Sequence, residues 1–276
     1  MRPVSEMPRE VAAQVRCVLT DIDDTLTSEG RLPAAAYAAL ERLHDAGLLV
    51  APVTGRPAGW CDMIARFWPV DGVVGENGAF YFAYDRDARR MRRSFAADQA
   101  CREGNRGRMD DIRRRVLAEV PGAAVAADQA YRETDLAIDF REDVAPLSEA
   151  AVDRIKAIFE EAGAVAKVSS IHVNGWFGAH DKLSMSRRFA AEVLGMDLDA
   201  EEARFVFCGD SPNDAPMFAF FSNACGVANV RDFAGRIEAE PAWVAEARGA
   251  EGFVEIAEVV LASRSSGQGA NPGEIT

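Results

Sequence analysis

Asp21 and Asp23 stand one residue apart in the string Asp21-Ile22-Asp23-Asp24-Thr25, directly after the apolar run Val15 to Thr20. Carboxylates at the carboxyl end of a parallel strand face the crevice where α/β sheets bind ligands. Two so spaced can divide the labour: one attacks phosphorus as a nucleophile, and the other handles the proton of the leaving and attacking oxygens. A helix-capping acidic turn accounts for most isolated strings of this kind, so the weight comes from its company. A second string, Val53-Thr54-Gly55-Arg56, ends another apolar run. Its hydroxyl and unhindered backbone N–H groups suit an anion, although a plain N-cap has the same composition.

Lys182, after Asp181, opens a helical stretch. A lysine there meets the positive end of the helix dipole, which is tolerable where its partner is a substrate phosphate. A solvated lysine is the common alternative. The fourth string is the most specific: Phe207-Cys208-Gly209-Asp210-Ser211-Pro212-Asn213-Asp214. Two aspartates with Asn and Ser supply hard oxygen ligands of the kind Mg²⁺ takes, whereas a capping turn needs only one such residue.

The elements that must position these residues alternate. Val15 to Thr20, Leu48 to Val53 and Phe205 to Cys208 read as buried strands. Ala34 to Ala46, a stretch after Pro57, Lys182 to Leu194, Pro212 to Phe221 and Val254 to Ala262 read as helices. Val73-Val74, Ala79 to Phe82, Ala224 to Ala228 and Trp243-Val244 are further strand candidates. Strand and helix in turn with short links predict an α/β fold: a Rossmann-like, doubly wound parallel sheet with helices on both faces. The middle differs, with helical stretches near Asp110 to Glu119 and Glu149 to Ala162 and strand-like pieces near Leu136 to Phe140 and Val168 to Val173. It reads as an α+β domain, 85–179, inserted into a core of 1–84 and 180–276, with hinges expected near Tyr84 and Gly178. Met1 to Gln14 and the tail from about Arg264 have the composition of disordered ends.

Composition narrows the function. A net charge of −13 argues against sequence-independent nucleic-acid binding. The arginine run at 86, 89, 90, 92 and 93 reads as a solvated turn between two strands. Five scattered cysteines without CxxC spacing suggest neither a disulfide framework nor a zinc site. No signal-like leader and no run of ~20 apolar residues is present, so a cytoplasmic protein without a membrane partner is expected. His44, Trp60 and Trp68 are assigned to structural packing. His172, Asn174, Trp176 and His180 are candidates for the substrate cleft, with loop packing an equal alternative.

The ordered strings Asp21-x-Asp23-x-Thr25, Thr54, Lys182 and Gly209-Asp210-x-x-Asn213-Asp214 resemble the four motifs of the haloacid dehalogenase-like hydrolase superfamily. Val74-Gly75-Glu76-Asn77-Gly78-Ala79 and the insertion point resemble its large-capped branch, which includes Cof-type and sugar-phosphate phosphatases. The resemblance implies Asp21 as nucleophile and Asp23 as general acid/base. Thr54, Gly55, Lys182 and Asn213 would hold the phosphoryl group. Mg²⁺ would sit on Asp21, the Asp23 backbone carbonyl and Asp210, with Asp214 in or just behind that shell. It implies a Mg²⁺-dependent phosphatase of a small phosphorylated substrate such as a sugar phosphate, acting through an aspartyl-phosphate. A phosphomutase and a non-catalytic phosphate sensor remain alternatives, the sensor disfavoured because all four motif aspartates are present.

Overall fold

The computed structural model describes residues 1–264. Along the chain come β1 (Arg2–Pro3), α1 (Arg9–Gln14), β2 (Cys17–Thr20), α2 (Ala34–Asp45), β3 (Leu49–Pro52), α3 (Ala58–Phe67), β4 (Val73–Gly75), β5 (Phe80–Asp85) and β6 (Arg90–Phe95). Then follow α4 (Gln99–Glu119), β7 (Ala124–Val125), β8 (Leu136–Asp139), α5 (Glu149–Glu161), β9 (Val165–Val168) and β10 (His172–Trp176). The chain closes with α6 (Lys182–Phe189), β11 (Phe205–Gly209), α7 (Ala215–Phe220), β12 (Ala224–Gly226), β13 (Trp243–Val244) and α8 (Gly249–Ala262).

Six strands form one parallel sheet in the order β1-β13-β12-β11-β2-β3. Its strands are apolar throughout because both faces are covered. In β2, Cys17 and Leu19 join one core cluster while Val18 joins the other, and in β11 Phe205 and Phe207 separate from Val206 and Cys208 in the same way. Each phenylalanine so buried contributes about 1.5–3 kcal/mol. From β2 the chain first goes to β3 on one side and later to β11 on the other. The sheet is therefore doubly wound, and its order reverses between β2 and β11, the place where such sheets bind ligands.

A parallel bridge from Val53 to Val74 carries the edge of β3 into an antiparallel sheet, β4-β5-β6. Of the arginine run, Arg86 and Arg89 lie in the turn of the β5–β6 hairpin, while Arg90, Arg92 and Arg93 belong to β6 itself. Tyr84, expected near a hinge, instead pairs with Met91 inside that hairpin, where ladder hydrogen bonds hold it. Residues 99–176 build a separate antiparallel sheet, β7-β8-β10-β9, whose core with α4 and α5 is its own. The stretch Val168 to Val173 is not one strand: Val168 ends β9, residues 169–171 turn, and His172 and Val173 begin β10.

The N-terminus also departs from expectation. Instead of a disordered end, β1 pairs with β13, and Val4, Met7 and Ala12 are buried. The reason is tertiary: β13 leaves an open sheet edge, and Trp243 offers a ring over which the Arg2 guanidinium lies at 3.8 Å. The expected disordered tail lies, from residue 265, outside the described residues. Among the described residues, no helix is long and apolar enough to cross a membrane.

Candidate active site

Asp21 follows the end of β2, where its N–H donates to the Cys208 carbonyl of β11 at 2.8 Å. The turn beyond it is tight: the N–H groups of Thr25, Leu26 and Thr27 all donate to the Ile22 carbonyl. Asp210 follows β11, so the two aspartates flank the reversal of strand order. Gly209 lets Asp214 fold back onto that strand end, because a Cβ there would lie 2.5 Å from Asp214 Oδ2.

Lys182 starts α6 behind an Asp181–Ser184 capping box. Its side chain is buried, and Nζ donates to Asp21 Oδ1 at 2.8 Å and Asp214 Oδ1 at 2.7 Å. The cation expected to await a phosphate thus has two carboxylate partners. Asp214 Oδ2 accepts from the N–H groups of Asp210 (3.0 Å) and Ser211 (3.3 Å). Asp210 Oδ1 accepts from the Thr25 hydroxyl at 3.3 Å, but its Oδ2 is buried with no partner.

Carboxylate oxygens of Asp21, Asp210 and Asp214 lie within 4.8 Å of one another. Three buried carboxylates against one ammonium leave excess negative charge. Burial pushes the Asp21 carboxyl up to about 7, with Lys182 pulling it down and Asp214 and Asp23 adding to the rise. Burial, then Asp21 and Asp214, drive Asp210 well above the carboxylate range. Burial lowers Lys182, but Asp21 and Asp214 outweigh it and raise its pKa. Crowded all-oxygen donors and an orphaned Asp210 oxygen fit a hard divalent cation.

The second expected group is also here. Thr54 is fully buried, and its Oγ1 accepts the Arg56 N–H at 3.0 Å. Asn213 Nδ2 donates to Asn77 Oδ1 at 3.2 Å, and Asn213 Oδ1 accepts from the Ser211 hydroxyl at 2.8 Å. Asp23, Gly55 and Asn213 line a small space with Asp21. Asp23 faces Arg56, whose Nε lies 2.9 Å from Oδ1 and whose Nη2 lies 2.7 Å from it.

Arg56 is where the strings alone fell short. Beyond Asp23 it reaches Asp128 at 3.4 Å and Glu142 at 2.6 Å, both from the 99–176 unit. Burial lowers its pKa, but Asp23 and Glu142 raise it further, so it stays charged. Glu142 is itself held by a turn that Asp139 caps, accepting the N–H groups of 141, 142 and 143. Burial pushes the Glu142 carboxyl up, yet His172, 2.9 Å away, and Arg56 together hold it at about 2.

Glu76 was named only within a motif, yet it is fully buried and binds across the two units. It accepts from the N–H groups of Ala58, Glu133 and Thr134 and from the Thr134 hydroxyl. Gly78 allows the same turn to press on the start of α6, since a Cβ would meet the Asp181 carbonyl at 1.9 Å. Of the ambiguous cleft candidates, His172 and Asn174 line the space over Asp21 together with Ser169 and Ile171. Trp176 is core, and His180 stacks on it instead. Trp60, expected in the core, is 39% exposed and lies against the Arg56 guanidinium. No local pattern distinguishes Glu142, Arg132 or Asp135 from the solvated charges around them.

Comparison with known proteins agrees with this geometry. A sequence model of the haloacid dehalogenase-like hydrolases matches residues 18–100. A Pyrobaculum neutrophilum protein named phosphoglycolate phosphatase is 30% identical over 208 residues, 74% of this chain and 79% of its own. A Methanoculleus marisnigri protein of the same name is 27% identical over 252 residues, covering 87% and 94%. A crystal structure of a Thermoplasma acidophilum protein superposes with a TM-score of 0.66 at 18% identity, covering 89% of this chain and 98% of the other. The matched span begins in β2 and includes Asp21, Asp23 and Thr54, and the protein belongs to the haloacid dehalogenase-like hydrolase family.

Proposed function

We propose that the protein is a Mg²⁺-dependent phosphatase that hydrolyses a small phosphorylated acid, such as phosphoglycolate, through an aspartyl-phosphate on Asp21. The observation that carries this reading is the Asp21–Lys182–Asp214 chain beside the unpartnered Asp210 oxygen. Asp21, the Asp23 carbonyl and Asp210 would hold the ion, with Asp214 behind them because both its oxygens already have donors. When bound, such an ion offsets phosphate charge and orients a phosphoryl oxygen.

The residues then share the work. Asp21 attacks phosphorus, the bond to the ester oxygen breaks, and Asp23 gives that oxygen a proton. Water next attacks the phosphorus of the phosphoaspartate and loses a proton to Asp23, freeing phosphate and restoring Asp21. Lys182 and the Thr54-Gly55 turn steady the transferring group. Arg56 holds Asp23 in position.

One observation favours a small substrate: the relatives named phosphoglycolate phosphatase span most of this chain. Residues 99–176 act as the specificity cap, with His172 and Asn174 on the wall that faces Asp21.

Phosphate release is measured from an aryl phosphate and a panel of phosphorylated acids and sugars, with and without Mg²⁺. Metal-dependent release is expected, falling on the order of 10⁴-fold or more in Asp21→Asn. An active Asp21→Asn enzyme would sink the nucleophile assignment. Phosphate transfer dependent on a sugar bisphosphate, without release, would make the protein a mutase.

A further inference from the structure

A buried chain of three side chains joins the two walls of this site. Asn174, on the wall above Asp21, donates from Nδ2 to Asp135 Oδ2 at 2.9 Å. Asp135 accepts Arg132 Nη1 on both oxygens at 3.1 Å, and the same Nη1 donates to the Gly55 carbonyl at 2.9 Å. The other edge of Arg132 is clamped by Asp128, from Nε and Nη2 at 3.0 Å each, and Asp128 also touches Arg56. The side chains of Arg132 and Asp135 are 1% and 0% exposed.

The Gly55 carbonyl is an informative place to be held. The peptide unit is planar, so fixing that carbonyl fixes the N–H of Arg56 on its other side. That N–H donates to Thr54 Oγ1, which leaves the Thr54 hydroxyl proton free for a phosphoryl oxygen. A planar, bidentate guanidinium in a dry interior tolerates little displacement. One end of the chain thus sets the phosphate turn, and the other sets the wall facing the leaving group.

We propose that Arg132 and Asp135 are positioning residues that fix the distance between the phosphate turn and the leaving-group wall, and so determine how long a substrate can react. This rests on the phosphatase reading given above. The pair touches no substrate; it acts through Gly55 and Asn174.

The test compares wild type, Arg132→Lys and Asp135→Asn, assayed well below each variant's Tm. Arg132→Lys keeps the charge but cannot grip Asp135, Asp128 and Gly55 at once. Asp135→Asn keeps the shape and loses the charge. kcat and KM are measured for phosphoglycolate and for p-nitrophenyl phosphate, and Mg²⁺-dependent binding of inorganic phosphate is followed by calorimetry. The proposal expects the ratio of kcat/KM between short and long substrate to fall at least tenfold in both variants, with phosphate binding weakened in Arg132→Lys. A ratio kept within threefold while Tm drops would make the chain merely structural and overturn it. Should one variant fail to fold, the other decides by the same ratio. A wild type that binds phosphate but releases none would defeat the phosphatase reading alone; the calorimetry then decides, unchanged binding in Arg132→Lys overturning the positioning role.

Discussion

Two buried charged clusters meet at this site, and they differ in how completely they satisfy themselves. In the seam between the units, the carboxylates of Asp23, Glu76, Asp128, Asp135 and Glu142 have donors on both oxygens. In the cluster at the strand ends, Asp210 keeps one oxygen with none. Buried polar groups are normally paired, so the seam carboxylates are satisfied as they stand, while the strand-end cluster keeps an open oxygen of the kind a cation would take. The difference separates carboxylates already held by protein donors from one still open to a ligand.

The comparison can be broken at its strongest point first. Glu76→Ala strips an acceptor from three backbone N–H groups and a hydroxyl, and should destabilise the protein by about 3 kcal/mol in urea unfolding. A change near zero would mean that the seam is not closed in solution. Next, Mg²⁺ at about 100 times its Kd should add about 2.7 kcal/mol to wild-type stability, read as a rise in Tm. That rise should vanish in Asp210→Asn; its persistence would place the ion elsewhere.

Glu142 sharpens the seam's side by pH. Its folded pKa of about 2 lies below the unfolded value of about 4.3, so its stabilisation is complete above the latter. It is lost as pH falls from about 4 toward 2. The stability gap between wild type and Glu142→Gln should therefore shrink over that window, and a pH-independent gap would contradict the pairing. The smallest effect is expected at Arg236, which bridges the open cleft to Glu149 at 2.7 Å but is exposed. Arg236→Ala should move Tm by no more than about 2 °C, since solvated ion pairs contribute little.

Legibility followed chain locality. Asp21 and Asp210 each follow an apolar strand, so composition alone marked both their element and their end of it. Glu142 and Arg132 sit in polar turns where a charge is ordinarily solvated. Their partner atoms are 86 and 77 residues away in sequence, on Arg56 and Gly55. Arg2 and Pro3 make the same point at the N-terminus, where two residues became a strand only because β13 offered an edge.

The sequence by itself determined the doubly wound sheet and the motif residues. Both rest on patterns repeated within a few residues: apolar runs covered on two faces, and acidic or hydroxyl groups at their ends. Only the tertiary structure decided that Lys182 is spanned by two carboxylates, that Arg56 is gripped from the second unit, and that Glu76 seals the seam. Those outcomes depend on which desolvated charge finds which partner across the fold. That pairing is fixed by burial and distance, neither of which a linear string of residues contains.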